Sequence, residues 1–153
     1  MPEPRDPATS FCVERVFKAK RDRVYAAFTS PGLLHQWWCP DGYHFTHLEM
    51  DARPGKMWKS VMVSDAGDFT WTSKGTFDEV VSGKRIVWRV TGSTDGGEGH
   101  ETRVTLTFDD DPGGTRVTLT HERFPDSETR DHHQGGWGTC LDKLARLFDT
   151  GRI

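Results

Sequence analysis

Thirteen residues, Leu33 to Phe45 (LLHQWWCPDGYHF), bring together two adjacent tryptophans, a cysteine and two histidines. With His47, His121, His132, His133, Cys12 and Cys140 they include most of the side chains able to hold a metal, attack a carbonyl or carry a proton. A metal site requires its ligands to converge. His44 and His47 are three apart on a predicted strand, where alternation sends them to opposite faces. His132 and His133 are neighbours on a predicted helix and diverge by about 100°. No CxxC or HExxH spacing occurs, so neither a metal nor a cofactor is expected.

Covalent chemistry has no better support. Cys140 and His133 are seven residues apart, roughly 10 Å along a helix, too far for a hydrogen-bonded thiol–imidazole pair. A thiol in an apolar wall also has its pKa raised, which fits Cys140 as a small hydrophobe of a core or cavity. The carboxylates Glu49, Asp51, Glu79 and Glu122 show no spacing that specifies a shared acid–base site. No catalytic residue is assigned, and the chain reads more readily as a binding protein than as an enzyme.

These side chains must be positioned by one folded unit, because 153 residues is the size of a single domain with one core. Only 34% of the residues are apolar, but nine Phe, six Trp and two Tyr supply large buried area per residue. The net charge of −3 comes from interspersed acids and bases, so nucleic acid is not an expected partner. No apolar run approaches the roughly 20 residues that span a bilayer, and MPEPRDPATS lacks the apolar core of a secretory signal. No membrane association and a cytoplasmic location are expected. Three widely spaced cysteines fit reduced thiols better than a disulfide framework.

Residues 1–10 contain three prolines and no apolar pattern, and are expected to form a disordered tail ahead of a single domain over 11–153. FCVERVFK alternates as a strand. KRDRVYAAFTS places Val24, Ala27 and Phe28 at helical spacing and stops at Pro31-Gly32; a second short helix runs from Pro31 to about Trp38, before Pro40. From His44 to Phe124, turn signals including the loop at 94–99 divide the chain into strands near 44–52, 56–64, 69–82, 85–93, 101–109 and 115–124. Connections this short leave no room for helical crossovers, so the sheet is an antiparallel meander. Val104, Leu106 and Phe108, like Val117, Leu119 and His121, share one parity and mark its covered face. The cover is a helix of about 20 residues, capped by Asp126 or Ser127, with Trp137, Leu141, Leu144 and Phe148 along one stripe. The predicted class is α+β: a curved antiparallel sheet of about seven strands wraps a long C-terminal helix, with two short helices after strand one.

The segments RDRVYAAFTSPGLLHQWWCP, EMDARPGKMW, KGTFDEVVSGKRIVW, RVTLTFDDDPGGTRVTLTHERFPD and HHQGGWGTCLDKL together resemble the activator of heat-shock protein 90 ATPase homologue-like family of the START-related SRPBCC superfamily. The resemblance runs over about residues 11 to 150. It implies a helix-grip fold with a deep, mostly apolar cavity between sheet and last helix. Function is less constrained, because that superfamily hosts lipid carriers, hormone receptors, polyketide cyclases and chaperone partners on one scaffold. Two residues depart from the family pattern: Cys39, where glycine more often follows the Trp-Trp pair, and Gly135, where a longer side chain is common.

The residues suggest what would line such a cavity. Trp58, Trp71, Phe77 and Trp88 lie on separate strands, and those of inward parity face Trp137, Cys140 and Leu141 on the helix. His121 also turns inward, either as a polar handle or proton carrier, or as a histidine hydrogen-bonded to the helix backbone or to His133. Gly135, Gly136 and Gly138 each cost the helix about 1 kcal/mol relative to alanine. Close approach to the sheet, room beside Trp137 or a helix bend could each offset that cost. Trp37 and Trp38 diverge, so one should anchor the short helices while the other reaches the cavity rim; Cys39 is expected at a partly exposed helix end. The leading expectation is a hydrophobic or aromatic small molecule bound between sheet and helix. A cyclase- or hydrolase-like enzyme using His121 or His133 and a chaperone-binding protein are the alternatives, and a homodimer is compatible with the fold.

Overall fold

The computed structural model describes residues 6–39, 41–94 and 101–153. Residues 1–5 of the expected tail, Pro40 and nearly all of the loop expected at 94–99 lie outside them. Strand β1 (Phe11–Phe17) is followed by α1 (Arg21–Thr29) and α2 (Pro31–Trp37). Six strands come next: β2 (Tyr43–Met50), β3 (Met57–Ser64), β4 (Thr70–Val81), β5 (Arg85–Thr94), β6 (Glu101–Asp111) and β7 (Gly114–Glu122). The chain ends in α3 (Ser127–Asp149). All neighbouring strands are antiparallel, in the order β1-β7-β6-β5-β4-β3-β2. This is the α+β helix-grip arrangement, with β1 closing the meander by pairing with β7. Among the described residues no helix is long and apolar enough to cross a membrane.

The alternation in β6 and β7 does what its parity requires. Val104 pairs with His121, Leu106 with Leu119 and Phe108 with Val117, and all six are buried on the face covered by the helices, Phe108 against Tyr25 and Phe28 of α1. The opposite face carries threonines and ion pairs such as Arg89–Asp78 and Arg103–Glu122. At the start of α3 the Asp126 carboxylate accepts the backbone N–H of Thr129 at 2.7 Å, which satisfies one of the helix's unpaired donors. Leading into it, Arg123 adopts a left-handed φ of 71°. That turn buries Phe124 and lets its backbone N–H donate to the carbonyl of Thr9 at 3.1 Å.

One end of the grip is solidly packed. Phe28 lies 4.8 Å from Trp37, 5.5 Å from Phe108 and 6.3 Å from Phe17, ring centre to ring centre, and Phe17 meets Phe148 at 5.9 Å. The Trp37 indole N–H donates to the carbonyl of Ala27 at 2.9 Å, so this tryptophan ties α2 to α1 and is fully buried. Trp38 points the other way, into the open end of the grip.

Strand β2 departs from simple alternation. Phe45 pairs with Met62 and His47 with Val61, so Thr46 is an extra residue. The bulge resets the parity: Tyr43 and Phe45 are covered before it, Leu48 and Met50 after it. His44 and His47 therefore share the outer face, where strict alternation had placed them on opposite faces. His44 Nδ1 contacts Asp65 at 2.7 Å and His47 Nε2 lies 3.4 Å from Glu49. Among the described residues, no three His, Cys, Asp or Glu side chains gather as metal ligands.

Candidate functional site

Where the packed end stops, sheet and α3 diverge around a cavity of about 700 Å³. The register of β3, β4 and β5 explains why space is left there. Ser60 pairs with Ser73, which pairs with Gly92, so three small residues form one row across the sheet. The row on one side places Trp58 beside Gly75, and the row on the other places Met62 beside Trp71. Trp71 lies over Gly92 and Trp58 over Gly75, since a methyl group on either glycine would collide with the indole above it. The outcome is a trough with a floor of small side chains and aromatic walls.

Trp58, Trp71, Trp88, His121, His133, Trp137 and Cys140 all line this space. Phe77 and Leu141 do not. Both are buried in the packed core, Phe77 with its ring 6.2 Å from that of Trp88. Phe77 has inward strand parity and Leu141 lies on the apolar stripe of α3, and neither periodicity can tell cavity from core. Sequence reading missed Tyr43, Phe45, Met62, Phe69 and the two serines. The serines carried a usable signal, because two small polar residues at inward positions of an aromatic-rich sheet vacate volume. Trp38 completes the wall, 5.6 Å from Trp58 and 6.2 Å from Trp137 between ring centres.

His121 is 3% exposed, and its partners fix its tautomer. The Trp137 indole N–H donates to Nδ1 at 3.1 Å. Nδ1 must then be unprotonated, so Nε2–H donates to the Thr102 hydroxyl at 2.7 Å. Burial, with a smaller contribution from His133, pushes the imidazole down to about 3. The partner across the wedge is thus Trp137, not the helix backbone or His133, and both ring nitrogens are engaged. His133 contacts the backbone carbonyl of Thr129 through Nδ1 at 3.0 Å. That leaves Nε2 as an acceptor, and burial lowers this imidazole's pKa as well.

The two buried thiols, Cys39 and Cys140, are made poor nucleophiles by their environment. Burial pushes Cys140 up to about 11 and Cys39 up to about 12, with each group's charged neighbours contributing less. Cys39 is buried rather than partly exposed. The chain after α2 tucks against α3, where Lys143 Nζ donates to the Cys39 carbonyl at 3.3 Å.

Open space surrounds the α-carbons of Gly135, Gly136 and Gly138. Close approach to the sheet is therefore not the reason for these glycines. Gly136 faces the cavity, where a side chain would take up volume. The indole N–H groups of Trp58 and Trp88 are buried without an acceptor, a cost of about 1–3 kcal/mol each that the wall tolerates.

The family model described as Activator of Hsp90 ATPase homolog 1-like protein matches residues 18–149. Among solved structures, the chain is similar to a protein from Chromobacterium violaceum at 29% identity, over 92% of this chain and 97% of that one, with a TM-score of 0.81. The AHSA1 protein from Silicibacter pomeroyi is 26% identical over 93% of this chain and 99% of its own, with a TM-score of 0.84. A Nitrosomonas europaea protein at 23% identity, covering 96% and 98% with a TM-score of 0.78, shares the fold. No curated protein matches the sequence.

Proposed function

The chain belongs to the Activator of Hsp90 ATPase homolog 1-like family, and from that premise we propose that it binds a hydrophobic or aromatic small molecule between sheet and α3 without covalent chemistry. The observation that carries this reading is the cavity of about 700 Å³ walled by five tryptophans. That volume is within the range of small-molecule pockets, and aromatic walls favour flat apolar ligands. The engaged, neutral His121 supports binding over a proton-carrier role, and the raised thiols supply no nucleophile. A chaperone partner is suggested by the family's name alone. With its cysteines free, the protein is assigned to the cytoplasm in this reading.

Native mass spectrometry of freshly purified protein, with solvent extraction of the same sample, tests the proposal. A co-purified molecule is expected. Trp137→Ala removes one wall and the bond to His121, and should lower its retention several-fold. Retention unchanged by that substitution would place the molecule elsewhere.

A further inference from the structure

Five tryptophans make the cavity apolar, but its polar atoms are not arranged at random. Among the described residues no Asp, Glu, Lys or Arg side chain lines it. A ligand carrying a formal charge would have to shed its water there without gaining an opposite charge. His121 cannot take that role, because both of its nitrogens are bonded inside the protein; burial favours the neutral form of His133 as well, and His132 lies at the exposed rim.

Nε2 of His133 offers an acceptor beside α3, and the polar group on offer in the trough itself is the serine pair. Ser60 and Ser73 are 2% and 6% exposed, and their hydroxyls lie 2.7 Å apart. One of the two protons is used between them. The other has no acceptor among the described residues, since neither hydroxyl makes a second hydrogen bond to them. Nearby, the indole N–H groups of Trp58 and Trp88 are likewise donors without acceptors, although protein atoms cover them. In this part of the wall a serine O–H is therefore the unpaired donor that a ligand can meet.

We infer that the cavity takes an uncharged, flat ligand bearing a carbonyl-type oxygen, and that the Ser60–Ser73 hydroxyl pair holds that oxygen while the indoles of Trp58 and Trp71 flank its rings. This rests on the cavity being a binding site and adds the chemical class of what it binds.

Three matched probes test it: 1-tetralone, a neutral aromatic ketone; tetralin, its hydrocarbon; and tetralin-1-carboxylate, an anion of similar shape. Dissociation constants are measured by NMR titration on the full chain and on the double variant Ser60→Ala/Ser73→Ala. Removing both members of a hydrogen-bonded pair leaves no orphaned partner, so the variant should stay folded. It should bind 1-tetralone roughly five- to tenfold more weakly, as for one lost hydrogen bond, and tetralin within about twofold of the parent. The carboxylate should bind the parent at least about tenfold more weakly than the ketone, for want of a countercharge. Equal losses for ketone and hydrocarbon, an unchanged ketone constant, or a carboxylate that binds as well as the ketone would each overturn the inference while leaving the cavity a binding site. Binding of none of the three would instead overturn the reading on which it rests.

Discussion

At His121 the fold requires an imidazole to stay neutral in order to accept a hydrogen bond from Trp137. A histidine in the unfolded chain titrates near 6.5, whereas this one is held down to about 3. Between those values the unfolded chain binds the proton and the folded chain does not, so stability is complete above about pH 6.5 and is lost as the pH falls toward 3. Going from about pH 7.5 to 5 should cost about 2 kcal/mol of unfolding free energy from this group, and His133, also shifted down, acts in the same direction. His121→Gln keeps an acceptor for Trp137 and a donor for Thr102 but cannot titrate. Urea unfolding at the two pH values should show that most of the acid sensitivity has gone in that variant. The thiols give a second prediction. Cys12 is exposed while Cys39 and Cys140 are buried, so a thiol reagent such as DTNB should label one cysteine quickly in the folded protein and all three in denaturant. Fast labelling of Cys39 would contradict its placement beneath α3. Sequence indicated a helix end at Cys39 but gave no sign of the cover, because burial by a segment about a hundred residues later leaves no local pattern.

The elements themselves were largely legible. Period-two alternation in β6 and β7, Pro31 at the start of α2 and the Trp137–Leu141–Leu144–Phe148 stripe of α3 are local signals, and each element formed where its signal lay. The bulge at Thr46 was not legible, since one unpaired residue exists only relative to the strand opposite. The glycines of α3 have a meaning that depends on what faces them. Gly135→Ala and Gly136→Ala should each stabilise the helix by about 1 kcal/mol, measurable as a higher unfolding midpoint. Gly136 borders the cavity and Gly135 is exposed, so Gly136→Ala alone should weaken binding of the co-purified molecule. Gly92→Ala should act in the opposite sense to a helix-stabilising change: its methyl group would displace the Trp71 ring. Loss of ligand retention and of stability together is the expected outcome.

For the molecule as a whole, the resemblance to a helix-grip family and the order of elements agree with the fold, but cavity and core were not separable in advance. Phe77 and Trp88 illustrate the difficulty. They are directly paired neighbours on adjacent strands with the same inward parity, yet only Trp88 borders the open space. The open space itself follows from the row of small residues at Ser60, Ser73 and Gly92, and such a row appears only when three strands are set in register. A ligand filling the space should bind the folded state alone and raise the unfolding temperature with its concentration. The distribution of tryptophans adds an optical consequence. Of the six, Trp37 belongs to the packed end, and the other five border the cavity. Ring centres of neighbouring indoles lie 5.6 and 6.2 Å apart, close enough to share excitation. The protein's ultraviolet emission thus comes almost entirely from the walls of one chamber. A carbonyl-bearing guest there would quench most of it at once, so the chain carries its own occupancy gauge without any attached dye.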